Sequence, residues 1–276
     1  MMARPWTSIP PGPHDIRLVV CDMDGSLLTD DGHVPESFWP LLEVMQSRGI
    51  AFVPASGRQY ATLREVFSRV PGDLTYVAEN GNLVVQGGEV LSSTAMDAAT
   101  VQRVIETVRH SEKDLGLVVC GLASAYIEHS EPAFLAEAQK YYARLETVAD
   151  LMDVSDDVLK LAVCDFADAE GTAGTTFRDL AETHQVVVSG KRWVDIMNDG
   201  VDKGRGVRKL QEASGVTPAQ TVVFGDYLND LQMLDAADWS FAMANAHPTV
   251  RDNARYLAPS NQEHGVVTAL EHLLGL

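Results

Sequence analysis

The chain has 276 residues, of which 46% are hydrophobic and 7% aromatic, a composition typical of a globular protein with one large domain or two smaller ones. Its formal net charge of -18 argues against binding to nucleic acids or anionic membrane surfaces, because both favour clustered lysine and arginine. No apolar run approaches the length that spans a bilayer. If the substrate is an anion, a few local cations have to overcome this overall charge.

Cysteine use and the amino terminus give two further expectations. The cysteines Cys21, Cys120 and Cys164 are odd in number and widely spaced, which favours reduced thiols in a cytoplasmic protein over a disulfide framework. Residues 1–15 are rich in proline and contain no long apolar run. We therefore expect a disordered tail over these residues and not a signal peptide.

The first ordered element is predicted within residues 17–28, where a continuous apolar run ends in Asp22, Asp24 and Gly25. Such a run is typical of a strand that is buried on both faces of a parallel α/β sheet. Ligands of these sheets bind beyond the carboxyl ends of the strands, and a spacing of two lets both carboxylates address one pocket. Two adjacent anions repel each other, which suggests a bound cation or a shared proton. An ordinary Asp-Gly turn is the alternative at this point.

Helices and strands then alternate as far as residue 83. Apolar residues at helical spacing predict helices over residues 35–48 and 60–70, and apolar runs predict strands over residues 50–55 and 74–78. This β-α-β-α-β order begins a doubly wound sheet. The predicted fold class is therefore α/β, with a Rossmann-like core built on a parallel sheet.

The pattern changes after residue 83. A Gly-Gly pair at residues 87–88 indicates a hairpin, and short strands then alternate with helices. Roughly one hundred residues of this mixed structure are long enough to form a domain of their own. We predict an inserted α+β domain over residues 84–189 and a discontinuous core domain over residues 16–83 and 190–276.

The last part of the chain returns to strands and helices of the first kind. Strands are predicted over residues 192–197, 221–224 and 240–243, and a closing helix over residues 263–274. Polar residues follow four predicted strands of the whole chain, at the edge where a parallel sheet binds its ligand. They are Asp22 with Asp24, Ser56, Lys203, and the group of Asp226, Asn229 and Asp230. Each residue alone fits an ordinary turn, cap or surface position, but their conjunction at one sheet edge indicates a site.

The chemistry that fits these residues is phosphoryl transfer to a carboxylate nucleophile. Asp22 would attack phosphorus, and Asp24 would first protonate the departing alkoxide and then take a proton from water. A hard cation, most plausibly Mg²⁺, would lie between Asp22 and Asp226, since the ligands offered are oxygen atoms without a Cys/His cluster. Lys203 and the Ser56 hydroxyl would balance and hold the transferring group. These local donors answer the question raised by the acidic composition.

Four segments together resemble the motifs of the haloacid dehalogenase superfamily of phosphatases. They are DMDGSLL at residues 22–28, ASGR at 55–58, DKG at 202–204 and GDYLND at 225–230. The insertion between the second and third segments is similar to the large α/β cap of the Cof-type phosphatases, as are ENG at residues 79–81 and FAMANA at 241–246. Within that group, CGLASAY at residues 120–126 looks most like the bacterial sugar-phosphate phosphatases.

The resemblance implies a role for each matching residue. Asp22 is the nucleophile and a metal ligand, Asp24 is the acid/base and gives its backbone oxygen to the metal, and Asp226 is the third metal ligand. Phosphate contacts are implied for Ser56, Gly57, Lys203, Asn229 and the main chain at Met23. Asp230 would orient Lys203 or a metal-bound water. Ser26 replaces the usual threonine and Asp202 precedes the lysine, where it could temper the charge of Lys203 if it faces inward.

Substrate choice is expected to lie mostly in the cap. The candidate specificity residues are Arg58, Gly121, Tyr126, Lys160 and Trp193. The predicted substrate is a small phosphorylated metabolite, and a sugar phosphate fits best. A monomer or small homo-oligomer is expected.

Two other functions remain open at this point. A sugar phosphomutase, similar to the phosphomannomutases, shares the chemistry and a similar cap. A phospho-accepting receiver module also uses Asp, Ser/Thr and Lys around Mg²⁺, but such modules are shorter and do not carry an acid at the position of Asp24.

Overall fold

The computed structural model describes residues 3–276, which form two β-sheets with helices packed against them. In chain order, the strands of the described residues are β1 (Arg4–Pro5), β2 (Leu18–Asp22), β3 (Ala51–Ala55), β4 (Tyr76–Ala78), β5 (Leu83–Gln86), β6 (Glu89–Ser93), β7 (Leu115–Gly121), β8 (Ala125–Ile127), β9 (Leu145–Thr147), β10 (Val158–Asp165), β11 (His184–Gly190), β12 (Trp193–Asn198), β13 (Thr221–Gly225), β14 (Trp239–Met243) and β15 (Tyr256–Ala258).

The α-helices of the same residues are α1 (Phe38–Ser47), α2 (Tyr60–Val66), α3 (Ala98–Arg109), α4 (Pro132–Ala138), α5 (Ala169–Thr175), α6 (Lys203–Ser214), α7 (Leu231–Leu234), α8 (Pro248–Asn253) and α9 (Gly265–Leu274). Short 3₁₀ turns include Glu79–Gly81 and Leu228–Asp230, both of which reach the site described below. None of the helices described here combines the length and the apolar composition that crossing a membrane requires.

The larger sheet has the strand order β1-β15-β14-β13-β2-β3-β4-β5-β6 over the described residues. Neighbours from β1 to β4 are parallel, and β5 and β6 add an antiparallel hairpin at one edge. Strand β2 lies in the middle of the parallel part, and all of its residues are buried because neighbouring strands and helices enclose it. The predicted α/β class with a parallel-sheet core is confirmed.

Register places three strand ends at the same level. Asp22 at the end of β2 pairs with Ala55 at the end of β3, and Cys21 pairs with Phe224 of β13. The residues that follow β2, β3 and β13 therefore meet at one sheet edge, as the sequence predicted.

Aromatic and aliphatic side chains form one continuous core beneath this edge. The rings of Phe224 and Phe241 stack with centroids 4.9 Å apart, and Phe38 packs on Phe52 at 4.8 Å. Aromatic pairs of this kind add about 0.5–1.5 kcal/mol beyond the burial of their apolar area. The strand ends that carry the site are thus fixed by a rigid, close-packed layer.

The smaller sheet, which we call the cap sheet, has the order β11-β12-β10-β7-β8-β9 and is antiparallel except between β8 and β9. Every residue of its central strand β10 is buried. Leu161 and Val163 enter one apolar cluster with residues of α3 and α5, while Ala162 and Cys164 enter another with residues of α4. Helices thus cover both faces of the cap sheet, and neither face of β10 is exposed to solvent.

Strand pairing corrects both predicted domain boundaries. The hairpin of β5 and β6 extends the edge of the core sheet, so the inserted domain begins after Ser93 and not at residue 84. At the other end, β12 pairs with β10 and β11, so the cap sheet continues through Asn198 and not to residue 189. The sequence pattern of a short apolar run does not distinguish a parallel core strand from an antiparallel strand that helices cover, because both faces are buried in either case.

The amino-terminal segment is also corrected where the structure describes it. Strand β1 pairs with β15, and the ring of Trp6 meets that of His272 at 5.1 Å in an edge-to-face contact. Ile9 is buried in the core, and its carbonyl lies 2.7 Å from His272 Nε2. The expected disordered tail over residues 1–15 is therefore a packed segment from Arg4 onward, because its few apolar groups find a partner in the closing helix α9. Residues 1 and 2 lie outside the described range.

We expect Ile9→Ala to lower the free energy of unfolding by about 2 kcal/mol, since a buried aliphatic side chain is removed and a cavity remains. Chemical denaturation followed by tryptophan fluorescence measures this change. Val90→Ala is the control, because Val90 is 52% exposed on the edge strand β6. Equal midpoints for both variants and the parent chain would show that the segment does not pack in solution.

Candidate active site

The end of β2 places Asp22 in contact with Lys203, the first residue of α6. Lys203 Nζ lies 2.5 Å from Asp22 Oδ1 and 2.7 Å from Asp230 Oδ1, and its side chain is fully buried. The two carboxylates keep the ammonium charged, and they raise the pKa of Lys203 against the opposing effect of burial. Residues almost two hundred positions apart in the chain are thereby brought into one ion-paired cluster.

Asp230 also holds the loop that carries Asp226. Its second oxygen, Oδ2, accepts hydrogen bonds from the backbone N–H groups of Asp226 at 2.9 Å and Tyr227 at 3.2 Å. Both carboxylate oxygens of Asp230 are therefore occupied, one by Lys203 and one by the loop. Asp202 has a different role from the one considered above, because its carboxylate caps α6 by accepting from Arg205 N at 2.7 Å.

The carboxylates of Asp22, Asp226 and Asp230 offer oxygens that lie within 4.8 Å of one another. Burial and the neighbouring carboxylates raise the pKa of Asp22 to about 7 and raise that of Asp226 as well. When all three carboxylates are ionised, the single ammonium of Lys203 leaves two negative charges uncompensated in a buried place. Asp226 Oδ1 is buried and has no hydrogen-bond partner. An unpaired oxygen and an excess of two charges fit a divalent cation held by oxygen ligands.

Gly25 leaves room for Asp226 at this place. Its backbone has φ +81°, and a Cβ atom there would lie 2.3 Å from Asp226 Oδ2. Any side chain at residue 25 would displace that carboxylate, so glycine is required both by backbone conformation and by space.

Asp24 points toward solvent at the mouth of the site and is engaged by Arg58. The guanidinium donates from Nε to Asp24 Oδ2 at 2.8 Å and from Nη2 to Oδ1 at 2.5 Å. The Arg58 side chain is 12% exposed and that of Asp24 is 46% exposed. This bidentate geometry fixes the carboxylate plane, and Asp24 is the most accessible acid of the cluster.

The proposed phosphate contacts lie on the loops around this cluster. Ser56 follows β3, is buried, and its hydroxyl accepts from the backbone N–H of Arg58 at 3.1 Å. Asn229 Nδ2 donates to Asn80 Oδ1 at 3.0 Å. The Met23 side chain is wholly buried in the core, so only its main chain can face the site.

A cavity of about 50 Å³ joins these loops to the cap. Of the predicted specificity residues, Arg58, Lys160 and Trp193 line it together with the core residues of the site. Gly121 and Tyr126 do not. Tyr126 donates to Asp156 at 3.2 Å, and a Cβ atom on Gly121 would meet the same carboxylate. Both residues therefore flank the turn between β7 and β8 of the cap sheet, beside Asp156.

Further cap residues line the cavity that the sequence analysis did not single out. They are Tyr141, Tyr142, Ser189 and Asp195. Arg58 lies over the ring of Tyr141 at 5.5 Å, and burial together with the charge of Asp24 raises the pKa of Tyr141 to about 12. The tyrosine hydroxyl therefore stays protonated and available as a donor. No local sequence signal marks these residues, since they follow helix α4 or sit inside cap strands.

Comparison with known proteins places this geometry in a family. A family model described as haloacid dehalogenase-like hydrolase matches residues 19–270. The chain is 32% identical over 263 residues to the 5-amino-6-(5-phospho-D-ribitylamino)uracil phosphatase YbjI of Escherichia coli K12, covering 94% of this chain and 96% of that protein.

Two solved structures show the same fold over nearly all of the chain. SMU.1108c from Streptococcus mutans UA159 superposes with a TM-score of 0.87 at 26% identity, over 95% of this chain and 100% of that one. The HAD subclass IIB sugar phosphatase BT4131 superposes with a TM-score of 0.81 at 19% identity, over 94% and 100% of the two chains. The chain therefore belongs to the haloacid dehalogenase-like hydrolases.

Proposed function

We propose that this protein is a Mg²⁺-dependent phosphatase of small phosphorylated metabolites, with Asp22 as nucleophile and Asp24 as general acid/base. One observation carries the proposal. Asp22, a buried carboxylate paired with Lys203, lies in one pocket with two other carboxylates. Asp24 is accessible to solvent, and Asp226 has a buried oxygen without a hydrogen-bond partner. The names of the relatives agree with this class of activity.

The residues that would hold the metal are Asp22, Asp226 and the backbone oxygen of Asp24. When bound, Mg²⁺ neutralises charge on the phosphoryl oxygens and helps to orient the group for in-line attack. Lys203 supplies the remaining positive charge, and Asp230 keeps its ammonium aimed at Asp22. The bound cation would offset the two excess negative charges of the cluster, so that an acidic chain can accept an anion at this place.

In the first step, one oxygen of Asp22 forms a bond to phosphorus while the bond from phosphorus to the ester oxygen breaks. Lys203 binds the other Asp22 oxygen and orients the carboxylate. Asp24 gives a proton to the departing alkoxide. Because Arg58 occupies both Asp24 oxygens, the leaving group has to displace at least one of these hydrogen bonds.

In the second step, Asp24 takes a proton from a water molecule that attacks the phosphorus of the aspartyl-phosphate. The bond between phosphorus and Asp22 then breaks, which frees orthophosphate and restores the carboxylate. The cavity has the volume of only a few water molecules, so we expect the cap to move away from the core to admit a metabolite.

Two substrate classes are supported. A sugar phosphate agrees with the sequence motifs and with the subclass to which BT4131 belongs. The 5-phospho-D-ribitylamino derivative of uracil is the second candidate, since three relatives carry that name and Tyr141, Tyr142 and Trp193 offer aromatic surface for a planar ring. The expected cytoplasmic location stays a prediction, and the three cysteines are buried and unpaired.

We expect purified protein to release orthophosphate from members of a panel of sugar phosphates and 5-amino-6-(5-phospho-D-ribitylamino)uracil. Removing Mg²⁺ with a chelator should lower the rate at least about 100-fold, because the metal contributes several kcal/mol to the transition state. Adding Mg²⁺ back should restore the rate, and the Asp226→Asn variant should need more Mg²⁺ for half-maximal rate.

Formation of an isomeric sugar phosphate without phosphate release would indicate a phosphomutase. A stable phosphoprotein without turnover would indicate a receiver module.

A further inference from the structure

Lys160 is a fully buried lysine of the cap strand β10 whose side chain crosses from the cap to the core. Its ammonium lies 2.9 Å from Glu79 Oε2, 3.4 Å from Asp195 Oδ2 and 2.6 Å from the carbonyl oxygen of Gly57, to which it donates. Glu79 and Gly57 belong to the core, and Asp195 belongs to the cap strand β12. Gly57 is in the loop that we expect to bind phosphate.

Asp195 extends the same contact to a second loop of the site. Its Oδ2 accepts a hydrogen bond from Asn80 Nδ2, and Asn80 Oδ1 accepts from Asn229 Nδ2 at 3.0 Å. Gly57 lies close to this amide, since a Cβ atom at residue 57 would be 3.1 Å from Asn80 Oδ1. Two cap residues, Lys160 and Asp195, therefore reach both proposed phosphate-binding loops.

The turn between these groups has a conformation that needs support. Glu79 and Asn80 both have positive φ, +49° and +55°. Asparagine tolerates this left-handed conformation, but glutamate adopts it only with strain. In addition, a buried lysine with two carboxylate partners does not make a protein more stable than apolar residues of similar size at the same positions would. Strain and buried charge at one place, next to the site, point to a functional role.

We propose that Lys160 and Asp195 are positioning residues, which hold the Gly57 and Asn229 loops in the geometry that binds phosphate only while the cap is seated on the core. The inference rests on the proposed function and deepens it. Cap closure would then assemble the anion site as well as exclude water, so that phosphoryl transfer starts only over an enclosed substrate.

The alternative role for Lys160 is direct contact with the sugar. Its ammonium already donates to Gly57 O and Asp195 Oδ2 and forms an ion pair with Glu79, so a sugar hydroxyl would have to replace one of these contacts. The two roles differ in what they predict for a ligand without a sugar. If Lys160 positions the loops, its loss weakens the binding of inorganic phosphate, whereas the loss of a sugar contact leaves phosphate binding unchanged.

The test uses the full chain with Mg²⁺, p-nitrophenyl phosphate as a substrate without a sugar, and inorganic phosphate as a ligand measured by calorimetry. For Lys160→Met we expect kcat on p-nitrophenyl phosphate to fall about 100-fold, because misplacing the binding loops by about 1 Å has an effect of this size. The dissociation constant of phosphate should rise about tenfold, as for one lost hydrogen bond. Asp195→Asn should change both quantities in the same direction. Lys140→Met, which removes an exposed cap lysine, should change neither.

A second variant distinguishes a loss of folding from a loss of phosphate binding. Lys160→Met combined with Glu79→Gln removes one of the two carboxylate charges that the single variant leaves without a cation. The double variant should show the same loss of phosphate affinity at a melting temperature nearer that of the parent chain. Unchanged phosphate affinity and unchanged kcat on p-nitrophenyl phosphate, with only KM raised for a sugar phosphate, would overturn the inference in favour of a sugar contact. Absence of any phosphate release by the parent chain would instead count against the proposed function, while phosphate affinity would still test the positioning role.

Discussion

Asp22→Asn is expected to reduce phosphate release at least about 10³-fold, because it removes the proposed nucleophile while keeping the size of the side chain. The amide has no charge to pair with Lys203, so the lysine would keep Asp230 as its carboxylate partner. Initial rates of orthophosphate release from the best substrate of the panel, measured at saturating Mg²⁺, give the result. Mass spectrometry of acid-quenched protein should show a phosphoryl adduct when Asp24 is replaced by asparagine, which slows hydrolysis of the intermediate, and none when Asp22 is replaced as well.

The control for this substitution is Asp31→Asn. Asp31 has an exposed side chain in the loop after the same strand, so its loss should leave the rate unchanged. Comparable activity of Asp22→Asn and the parent chain would show that another group receives the phosphoryl group.

Asp24→Asn is expected to lower turnover on alkyl phosphates about 10²–10⁴-fold, the range for loss of a general acid/base. The effect should depend on the leaving group. With p-nitrophenyl phosphate, whose leaving group needs little protonation, the first step continues while hydrolysis of the aspartyl-phosphate is slow. A burst of p-nitrophenol with an amplitude near one per protein molecule should then precede a slow steady rate.

The burst separates the two duties of Asp24, because it reports formation of the intermediate without its breakdown. The parent chain should show no burst under the same conditions if the first step limits its rate. A variant that turns over alkyl phosphates as fast as the parent chain would assign the proton transfer to another residue, and Tyr141 would be the first to examine, since its protonated hydroxyl lines the same cavity.

Local motifs were sufficient to predict the family and the core. The segments at residues 22–28, 55–58, 202–204 and 225–230 each combine an element end with polar residues, and parallel strands necessarily bring such ends to one edge. The family assignment and the fold class predicted from them are confirmed. The catalytic and metal-binding roles stay predictions, although the residues named for them do lie together around Asp22.

Elements that depend on distant partners were predicted less well. The strand expected over residues 74–78 spans only Tyr76–Ala78, because only these residues pair with β3 and β5. Propensity and periodicity describe a segment alone, whereas pairing with a strand elsewhere in the chain decides where that segment ends.

The sequence by itself determined the family, the parallel core and the set of residues at its carboxyl edge, since each of these follows from short segments whose spacing is fixed by the backbone. Only the tertiary structure decided the limits of the cap and the packing of residues 4–14. It also decided the surroundings of Lys160. A lysine in an apolar strand reads as surface-exposed until its partners are known, and those partners, Glu79 and Asp195, are 81 and 35 positions away in the chain. Burial of a charge is set by what folds against it, and that is information no local pattern contains.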